Sequence, residues 1–238
     1  MTLNTARATT GGLQSLAHIA ASTGWSGPVG GKPSVFLGID PGISGALVVL
    51  GADGCVLVHH DTPILTVATT GRTKSGKVRS RSEYDVATMA RLVREIVGRW
   101  AVRLVVIERV YAMQGRRAGR GASLTASGAP GEGEGRGTLA AVSLAESAGL
   151  WRGICAAHGL RVERVAPATW KAQLVPAVAT PGVSRARASA LRKERARLRA
   201  LELFPGFAEH LIRKLDHGRA EAALLAEWGR RLDVTDRR

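Results

Sequence analysis

Two acidic residues of this sequence stand at the ends of apolar segments. Asp40 follows the apolar residues 35–39 where Pro41 turns the chain, and Glu108 follows the apolar residues 104–107. If these segments are neighbouring parallel strands, their carboxylates lie side by side at one edge of a sheet. Two buried carboxylates together are costly unless a cation lies between them, and Mg²⁺ prefers oxygen ligands. The pair therefore predicts a divalent metal site, with an ordinary strand-end turn as the alternative for each residue alone.

Two more acids, Asp216 and Glu221, lie near the start of a predicted helix over 216–231, whose apolar face includes Leu224 and Leu225. Acidic residues are common at helix starts because they interact favourably with the helix dipole. An N-cap role for Asp216 and an exposed surface role for Glu221 are therefore the alternatives to metal binding. Taken with the two strand-end acids, they predict a carboxylate cluster that suits Mg²⁺ and leaves positions open for phosphate.

Hydrophobic periodicity predicts the elements that position these acids. Three strands are predicted first, over 35–40, 45–50 and 55–60. Gly54 suits a tight turn between the second and third strands, which predicts antiparallel pairing. A helix over 83–100 then precedes the unbroken apolar strand 104–108, as expected for a crossover to a parallel strand. The remaining predicted elements are a helix over 139–158, a strand over 160–165, and helices over 185–203 and 216–231. This order indicates an α/β domain with an RNase H-like mixed five-stranded sheet flanked by helices.

The chain is expected to form one folded domain over 34–232. Residues 1–33 are rich in Ala, Thr, Ser and Gly and predict a flexible N-terminal arm, and residues 233–238 predict a short tail. Residues 115–137 are dense in Gly and Arg, a composition that cannot build a core. We therefore expect a basic, flexible loop within the domain.

The charge balance points to a polyanionic partner. Lys and Arg number 34 against 19 Asp and Glu, which gives a net charge of +15. Nucleic acid is favoured over a membrane because no segment approaches the ~20 apolar residues of a spanning helix; a genomic preference for Arg is the alternative explanation. Cys55 and Cys155 lack the close spacing of a zinc site or a disulfide framework. Both are expected to be buried thiols in a reducing cytoplasm, and no secretory signal is expected.

Segments of the chain resemble, in order, the RuvC family of Holliday-junction resolvases, and phage-type members in particular. They are Gly38-Ile39-Asp40-Pro41-Gly42 with Ser44-Gly45, then Ile107-Glu108-Arg109-Val110-Tyr111, Ala166-Pro167-Ala168-Thr169-Trp170-Lys171, Ala200-Leu201-Glu202-Leu203-Phe204-Pro205, and Asp216-His217-Gly218-Arg219-Ala220-Glu221-Ala222. The resemblance runs from about residue 34 to residue 230. It implies a homodimer that hydrolyses one phosphodiester on each of two symmetry-related strands of branched DNA, with Mg²⁺ or Mn²⁺ as cofactor.

The resemblance also implies roles for the acids. The two strand-end acids match the family's first two, and Glu221 matches its last acid, a position at which Asp is usual. The position three before Glu221 is Gly218, so Asp216 or His217 would have to supply the remaining ligand. Asp216 is favoured because Mg²⁺ prefers oxygen to imidazole. The chemistry implied is two-metal hydrolysis, in which one ion activates water and the other stabilises the leaving oxygen.

Other residues are expected to contact DNA. Lys171 matches a family lysine near the scissile phosphate, where it would offset developing charge, and a solvated helix lysine is the alternative. Tyr111 lies where the family has an aromatic residue that stacks on an unpaired base, with a core position as the alternative. Phosphate contacts are expected from the basic loop and from the helix 185–203. These residues are Arg116, Arg117, Arg120 and Arg136 in the loop, and Arg185, Arg187, Arg192, Lys193, Arg195, Arg197 and Arg199 in the helix. For the helix charges, a solvated surface is the alternative.

The expected activity is that of a crossover junction endodeoxyribonuclease, and three other functions are weighed against it. A sugar kinase or actin-like ATPase also begins with an Asp-Gly strand turn, but it needs a second such lobe. The 238 residues contain one copy of the pattern, so no nucleotide cofactor is expected. A non-catalytic DNA-binding relative would have no need of four acids. A nuclease of the same fold acting on single-stranded or RNA–DNA hybrid substrates is compatible with the same motifs.

Overall fold

A central sheet and the helices on its two faces organise the computed structural model, which describes residues 31–73, 75–110, 132–177 and 182–235. The strands are β1 (Ser34–Asp40), β2 (Ala46–Gly51), β3 (Val56–Asp61), β4 (Ile64–Arg72), β5 (Val78–Tyr84), β6 (Ala101–Glu108) and β7 (Val162–Val165). The α-helices are α1 (Val86–Arg99), α2 (Glu132–Ala157), α3 (Pro167–Leu174), α4 (Arg185–Leu203) and α5 (His217–Thr235). Two short 3₁₀ helices, Pro205–Leu211 and Lys214–Asp216, connect α4 to α5.

The central sheet has five strands in the order β3-β2-β1-β6-β7. β2 runs antiparallel to β1 and β3, whereas β1, β6 and β7 are parallel. Ile39 pairs with Ile107, so the next residues along both strands, Asp40 and Glu108, end at the same edge of the sheet. The prediction of a mixed five-stranded sheet flanked by helices is confirmed, as is the parallel pairing of the two strands that carry the acids.

Apolar side chains alternate along β1 and fill two cores, one on each face of the sheet. Phe36 belongs to the core under α4 and α5, while Leu37 and Ile39 reach the opposite core, which contains Met89 of α1 and Trp151 of α2. Residues 220–229 of α5 are all buried, so this helix is central to the first core. Burial of this extent gives α5 a defined depth and rotation against the sheet, which determines where its polar residues point.

The structure contains an antiparallel hairpin that the sequence patterns did not predict. β4 and β5 pair with each other and form a second sheet of two strands. The predicted helix over 83–100 begins later, at Val86, because Asp85 caps it by accepting a hydrogen bond of 3.0 Å from the Thr88 backbone N–H. Residues 78–84 therefore belong to a strand.

Other predictions differ from the structure at element ends. Helix α2 begins at Glu132, so the last part of the predicted loop 115–137 is helical. Cys55 is exposed in the turn before β3, and only Cys155 has the predicted buried position.

The helices in the described part of the chain include none that is long and apolar enough to span a membrane.

Several predictions fall on residues that the structure does not describe. They concern the arm up to residue 30, the loop segment 115–131 and the end of the tail from residue 236. The candidate DNA-binding residues Tyr111, Arg116, Arg117 and Arg120 also lie outside the described residues.

Candidate metal centre

Three of the four predicted acids meet at one end of the central sheet. Asp40 ends β1, Glu108 ends the neighbouring β6, and Glu221 lies in the second turn of α5. Each offers a carboxylate oxygen, and these atoms all lie within 4.8 Å of one another. The sheet places the first two side by side, and the packing of α5 across β1 brings the third to them.

The group is electrostatically strained without a cation. Burial, together with the charges of Glu221 and Glu108, raises the pKa of Asp40 well above its ordinary value. Burial and the charge of Glu221 likewise raise the pKa of Glu108, against the lowering effect of neighbouring donors. Like charges in a partly desolvated site favour the protonated form unless a cation compensates them. The cluster is therefore built to hold positive charge.

Lys171 of α3 supplies positive charge beside the group. Its Nζ donates a hydrogen bond of 2.9 Å to Glu221 Oε1 and lies 3.8 Å from Glu108 Oε1. Burial alone would lower the pKa of Lys171, but the charges of the two glutamates outweigh it and the pKa is raised. The ammonium group thus stays charged and ties α3 to both carboxylates.

Trp170 is a site residue that the sequence analysis did not single out. Its Nε1 donates a hydrogen bond of 3.0 Å to Glu108 Oε1, and its ring lies 4.8 Å from the Lys171 ammonium nitrogen. The side chain is completely buried, so it holds Glu108 in one orientation. Trp170 and Lys171 lie in the segment 166–171 that the sequence analysis quoted for the family resemblance. The contact of Trp170 with Glu108 spans 62 positions of the chain, so the sequence did not indicate it.

Asp216, the expected fourth ligand, does not join the group. Its carboxylate accepts hydrogen bonds of 2.8 Å from both the backbone N–H and the Nη2 of Arg213, and it lies 3.8 Å from Arg219. Burial acts to raise the pKa of Asp216, but the hydrogen bonds from Arg213 outweigh it and the pKa is lowered. Asp216 therefore stabilises the turn that leads into α5, close to the N-cap role that was its alternative.

The absence of an acid at position 218 has a steric reason. A Cβ atom on Gly218 would lie 2.3 Å from the backbone oxygen of Ser44 and 3.1 Å from Gly45 Cα. Because the first turn of α5 lies directly against the β1–β2 loop, no side chain fits there. Glycine at 218 permits the approach that brings Glu221 to Asp40.

Lys193 and His217 lie beside the acids rather than among them. The Lys193 Nζ is 3.3 Å from His217 Nε2, and the positive charge of Lys193 acts to lower the pKa of Asp40. Lys193, which was predicted as a phosphate contact, is exposed on α4. His217, the alternative to Asp216 as a ligand, is oriented by Lys193 and by the Lys214 carbonyl oxygen 3.3 Å from its Nδ1.

Comparisons with known proteins give a distant structural likeness. No protein-family model and no curated protein matches the sequence. The chain is similar to Thermus thermophilus RuvC in complex with a Holliday junction substrate, with 15% identity over 83% of this chain and 96% of that one and a TM-score of 0.39. A second Thermus thermophilus RuvC structure gives 14% identity over 84% and 96% of the two chains, with a TM-score of 0.38.

Proposed function

We propose that this protein is a metal-dependent endonuclease that cuts branched DNA, including four-way Holliday junctions. The observation that carries the proposal is the meeting of Asp40, Glu108 and Glu221 at the end of the sheet. Three carboxylates from distant parts of the chain converge there with a lysine at their side. Such a site suits the hydrolysis of an anionic ester more readily than any structural role, because it concentrates repulsive charge at a cost to stability.

The residues fit a hard divalent cation. Oxygen donors are the ligands that Mg²⁺ and Mn²⁺ prefer, and a cation would offset the burial and mutual repulsion that raise the pKa of Asp40 and that of Glu108. Asp40, Glu108 and Glu221 are the residues proposed to hold the ion. When bound, the metal would supply Lewis-acid stabilisation of the phosphate and a more acidic water molecule.

The protein's own residues prepare the site for this chemistry. The Trp170 indole holds the carboxylate of Glu108, and the Lys171 ammonium holds Glu221 while remaining partly exposed, at 29% of its side chain. A charged, exposed amine at this position can also contact a phosphate oxygen and offset the charge that develops during hydrolysis. Substrate binding and carboxylate positioning would then share one residue.

DNA as the substrate is supported by the charges around the acids. Arg187, Arg192 and Lys193 are exposed on α4, the helix that flanks the carboxylates, and Lys193 adjoins the cluster itself. Not all of the predicted phosphate contacts are available, since Arg197 is bound to Glu194 and the Leu211 carbonyl, and Arg199 to the Leu174 carbonyl. Exposed arginine and lysine side chains bind the phosphate backbone of DNA without reading its sequence.

The finer features of the proposal come from the resemblance of the motifs to RuvC resolvases. These features are the choice of branched DNA, a homodimer with two sites, and paired cleavage of symmetry-related strands. A likeness to phage-type resolvases and action in the cytoplasm belong to the same proposal. Paired cuts require two copies of the site, so a dimer on the junction follows from this activity. A monomeric mass both in solution and on junction DNA would overturn that part of the proposal.

A comparison of two substrates tests the function. The purified protein is incubated with a synthetic four-way junction and with a linear duplex of matched sequence, in Mg²⁺, in Mn²⁺ and in EDTA. We expect metal-dependent cutting of the junction, little cutting of the duplex, and no cutting by Asp40→Asn. Failure to cut the junction with either metal would refute the nuclease. Equal cutting of both substrates would keep the nuclease and remove the preference for branched DNA.

A further inference from the structure

The strands of the β4–β5 hairpin contribute one residue, Tyr84 at the end of β5, to the two cores of the protein. Its two strands pair only with each other within the described sheets, and 12 of its 16 strand residues are exposed. An isolated two-stranded ribbon is at best marginally stable in water. A projecting ribbon of this kind gains order when a partner lies along it.

The chemistry of the hairpin fits a phosphate backbone. Its basic residues Arg72, Lys77, Arg79 and Arg81 stand against one acid, Glu83, to which Arg81 Nε donates a hydrogen bond of 2.7 Å. Five of the other twelve strand positions are Thr or Ser, as the strand sequences ILTVATTGR and VRSRSEY show. Arg, Lys, Ser and Thr are the side chains that donate hydrogen bonds to DNA phosphates. Three apolar side chains are also exposed, Ile64 and Leu65 at the root and Val78 near the tip. The excess of basic residues makes DNA the partner that the charge favours.

The root of the hairpin lies at the same edge of the sheet as the metal centre. Asp61, the last residue of β3, pairs with Ala46 of β2, which in turn pairs with Asp40. Two strand spacings separate Asp61 from Asp40, a distance of about 10 Å. Arg219 also donates two hydrogen bonds of 2.6 Å to Asp61, which ties the root to the helix that carries Glu221.

The returning strand is anchored to the same region. The Tyr84 hydroxyl lies 3.0 Å from both the backbone oxygen and the Oγ of Ser143 on α2. Ser147, one turn further along α2, accepts a hydrogen bond of 3.2 Å from the Gly42 backbone N–H next to Asp40. The hairpin is therefore fastened at both ends, through Asp61 to α5 and through Tyr84 to α2.

The length of the hairpin sets its reach. The nine residues of β4 extend about 30 Å at about 3.4 Å per residue. A duplex rises about 3.4 Å per base pair, so the tip could follow a DNA arm for about nine base pairs. Lys77 and Arg79 lie toward that tip, well outside the carboxylate cluster.

We infer that the β4–β5 hairpin is a phosphate-binding arm that holds one duplex arm of the DNA substrate away from the cutting site. The inference rests on the proposed function, because a nuclease that recognises branched DNA must hold its duplex arms as well as the scissile phosphate. The basic side chains of the hairpin meet this need through contacts with DNA phosphates, which carry no sequence information.

The test measures DNA affinity without cutting. In an Asp40→Asn background with EDTA, fluorescence anisotropy compares the parent with Lys77→Glu/Arg79→Glu on a four-way junction with 15-base-pair arms, from about 50 to 200 mM salt. The matched control reverses two exposed charges on helices that run away from the site, Arg94→Glu/Arg152→Glu. Circular dichroism melts confirm that each variant is folded.

We expect the hairpin variant to bind about tenfold more weakly and to lower the salt slope by about 2, or 0.9 for each lost phosphate contact. The control should bind within about twofold of the parent. On a junction with 5-base-pair arms, too short to reach the tip, the hairpin variant should lose no more affinity than the control. An equal loss in hairpin and control variants would overturn the inference, as would a full loss on the short arms.

The outcome is separable from that of the proposed function. The same hairpin and control substitutions are placed in the chain with Asp40 intact and assayed for junction cleavage with Mg²⁺. If the parent cuts junctions while the hairpin variant binds them normally, only the inference about the arm fails. If the parent cuts nothing but the hairpin variant still loses duplex affinity, the proposed nuclease fails and the arm stands.

Discussion

Gly38 lies on β1 where α5 passes closest to the sheet, and its replacement by alanine tests how the site is positioned. A Cβ atom there would lie 1.9 Å from the Ala222 backbone oxygen and 2.4 Å from the Ala226 backbone nitrogen. Ordinary van der Waals contact begins near 3.4 Å, so α5 would have to move by about 1.5 Å. No side-chain rotation can relieve the clash, because both contacted atoms belong to the backbone. We expect Gly38→Ala to lose about 3 kcal/mol of stability, the upper end for overpacking.

The same movement would displace Glu221, which precedes Ala222, within a group whose ligand atoms lie within 4.8 Å of one another. A misplacement of about 1 Å can cost about 100-fold in rate, so we expect a loss of at least that size in single-turnover junction cleavage. The melting temperature should fall by about 6–12 °C, at about 2–4 °C per kcal/mol. The control is Gly153→Ala on α2, where a Cβ meets nothing within 4 Å; it should gain about 0.5–1 kcal/mol. A Gly38→Ala protein that melts and cuts like the wild type would refute this packing.

Two further predictions concern charge and pH. Lys171→Met removes the ammonium group that lies beside Glu221 and Glu108. We therefore expect added Mg²⁺ to raise the melting temperature of this variant more than that of the wild type. An equal rise in both proteins would contradict the role of Lys171 as the positive charge of the site. Burial, and to a smaller extent the charge of His210, lowers the pKa of His59 to about 4. In the folded protein this imidazole is therefore neutral, whereas in the unfolded chain it takes up a proton below about pH 6.5. The free energy of unfolding, measured with urea, should therefore fall as the pH is lowered from 6.5 to 4, by up to about 3 kcal/mol more in the wild type than in His59→Phe. Parallel pH profiles of the two proteins would disprove this prediction.

The central sheet could be predicted because its strands are nearly pure apolar runs. β1, β2 and β6 are buried on both faces, and such strands stand out from any flanking sequence. The β4–β5 hairpin gave no such signal, since its strands mostly face solvent and mix Thr, Ser and Arg with apolar residues in no regular alternation. Its pairing depends on a turn and on a register that hydrophobic periodicity does not report.

All three acids of the cluster were among the four predicted, and Asp216 is the one that does not join them. Asp40 and Glu108 followed from their positions at strand ends, because parallel pairing sends both to one edge. The sequence analysis placed both Asp216 and Glu221 in the cluster, but the direction of each depends on the rotation of α5, and two residues five positions apart on an ideal helix differ in direction by about 140°. The contact of Gly218 with Ser44 sets that rotation and directs Glu221 to the cluster. Trp170 and Lys171 could not be linked to their glutamates from sequence, since those contacts span 62 and 50 positions.

Single-turnover cleavage of a four-way junction by Asp40→Asn and Asp216→Asn, measured side by side in Mg²⁺, tests the central claim most directly. Both variants remove one carboxylate of similar size, but only Asp40 belongs to the cluster. We predict that Asp40→Asn loses at least about 100-fold in rate, or about 2.7 kcal/mol of transition-state stabilisation. Asp216→Asn should cut within a few-fold of the wild type while melting at a lower temperature. Full activity in Asp40→Asn, or equal inactivation of a folded Asp216→Asn protein, would contradict the assignment of the metal centre.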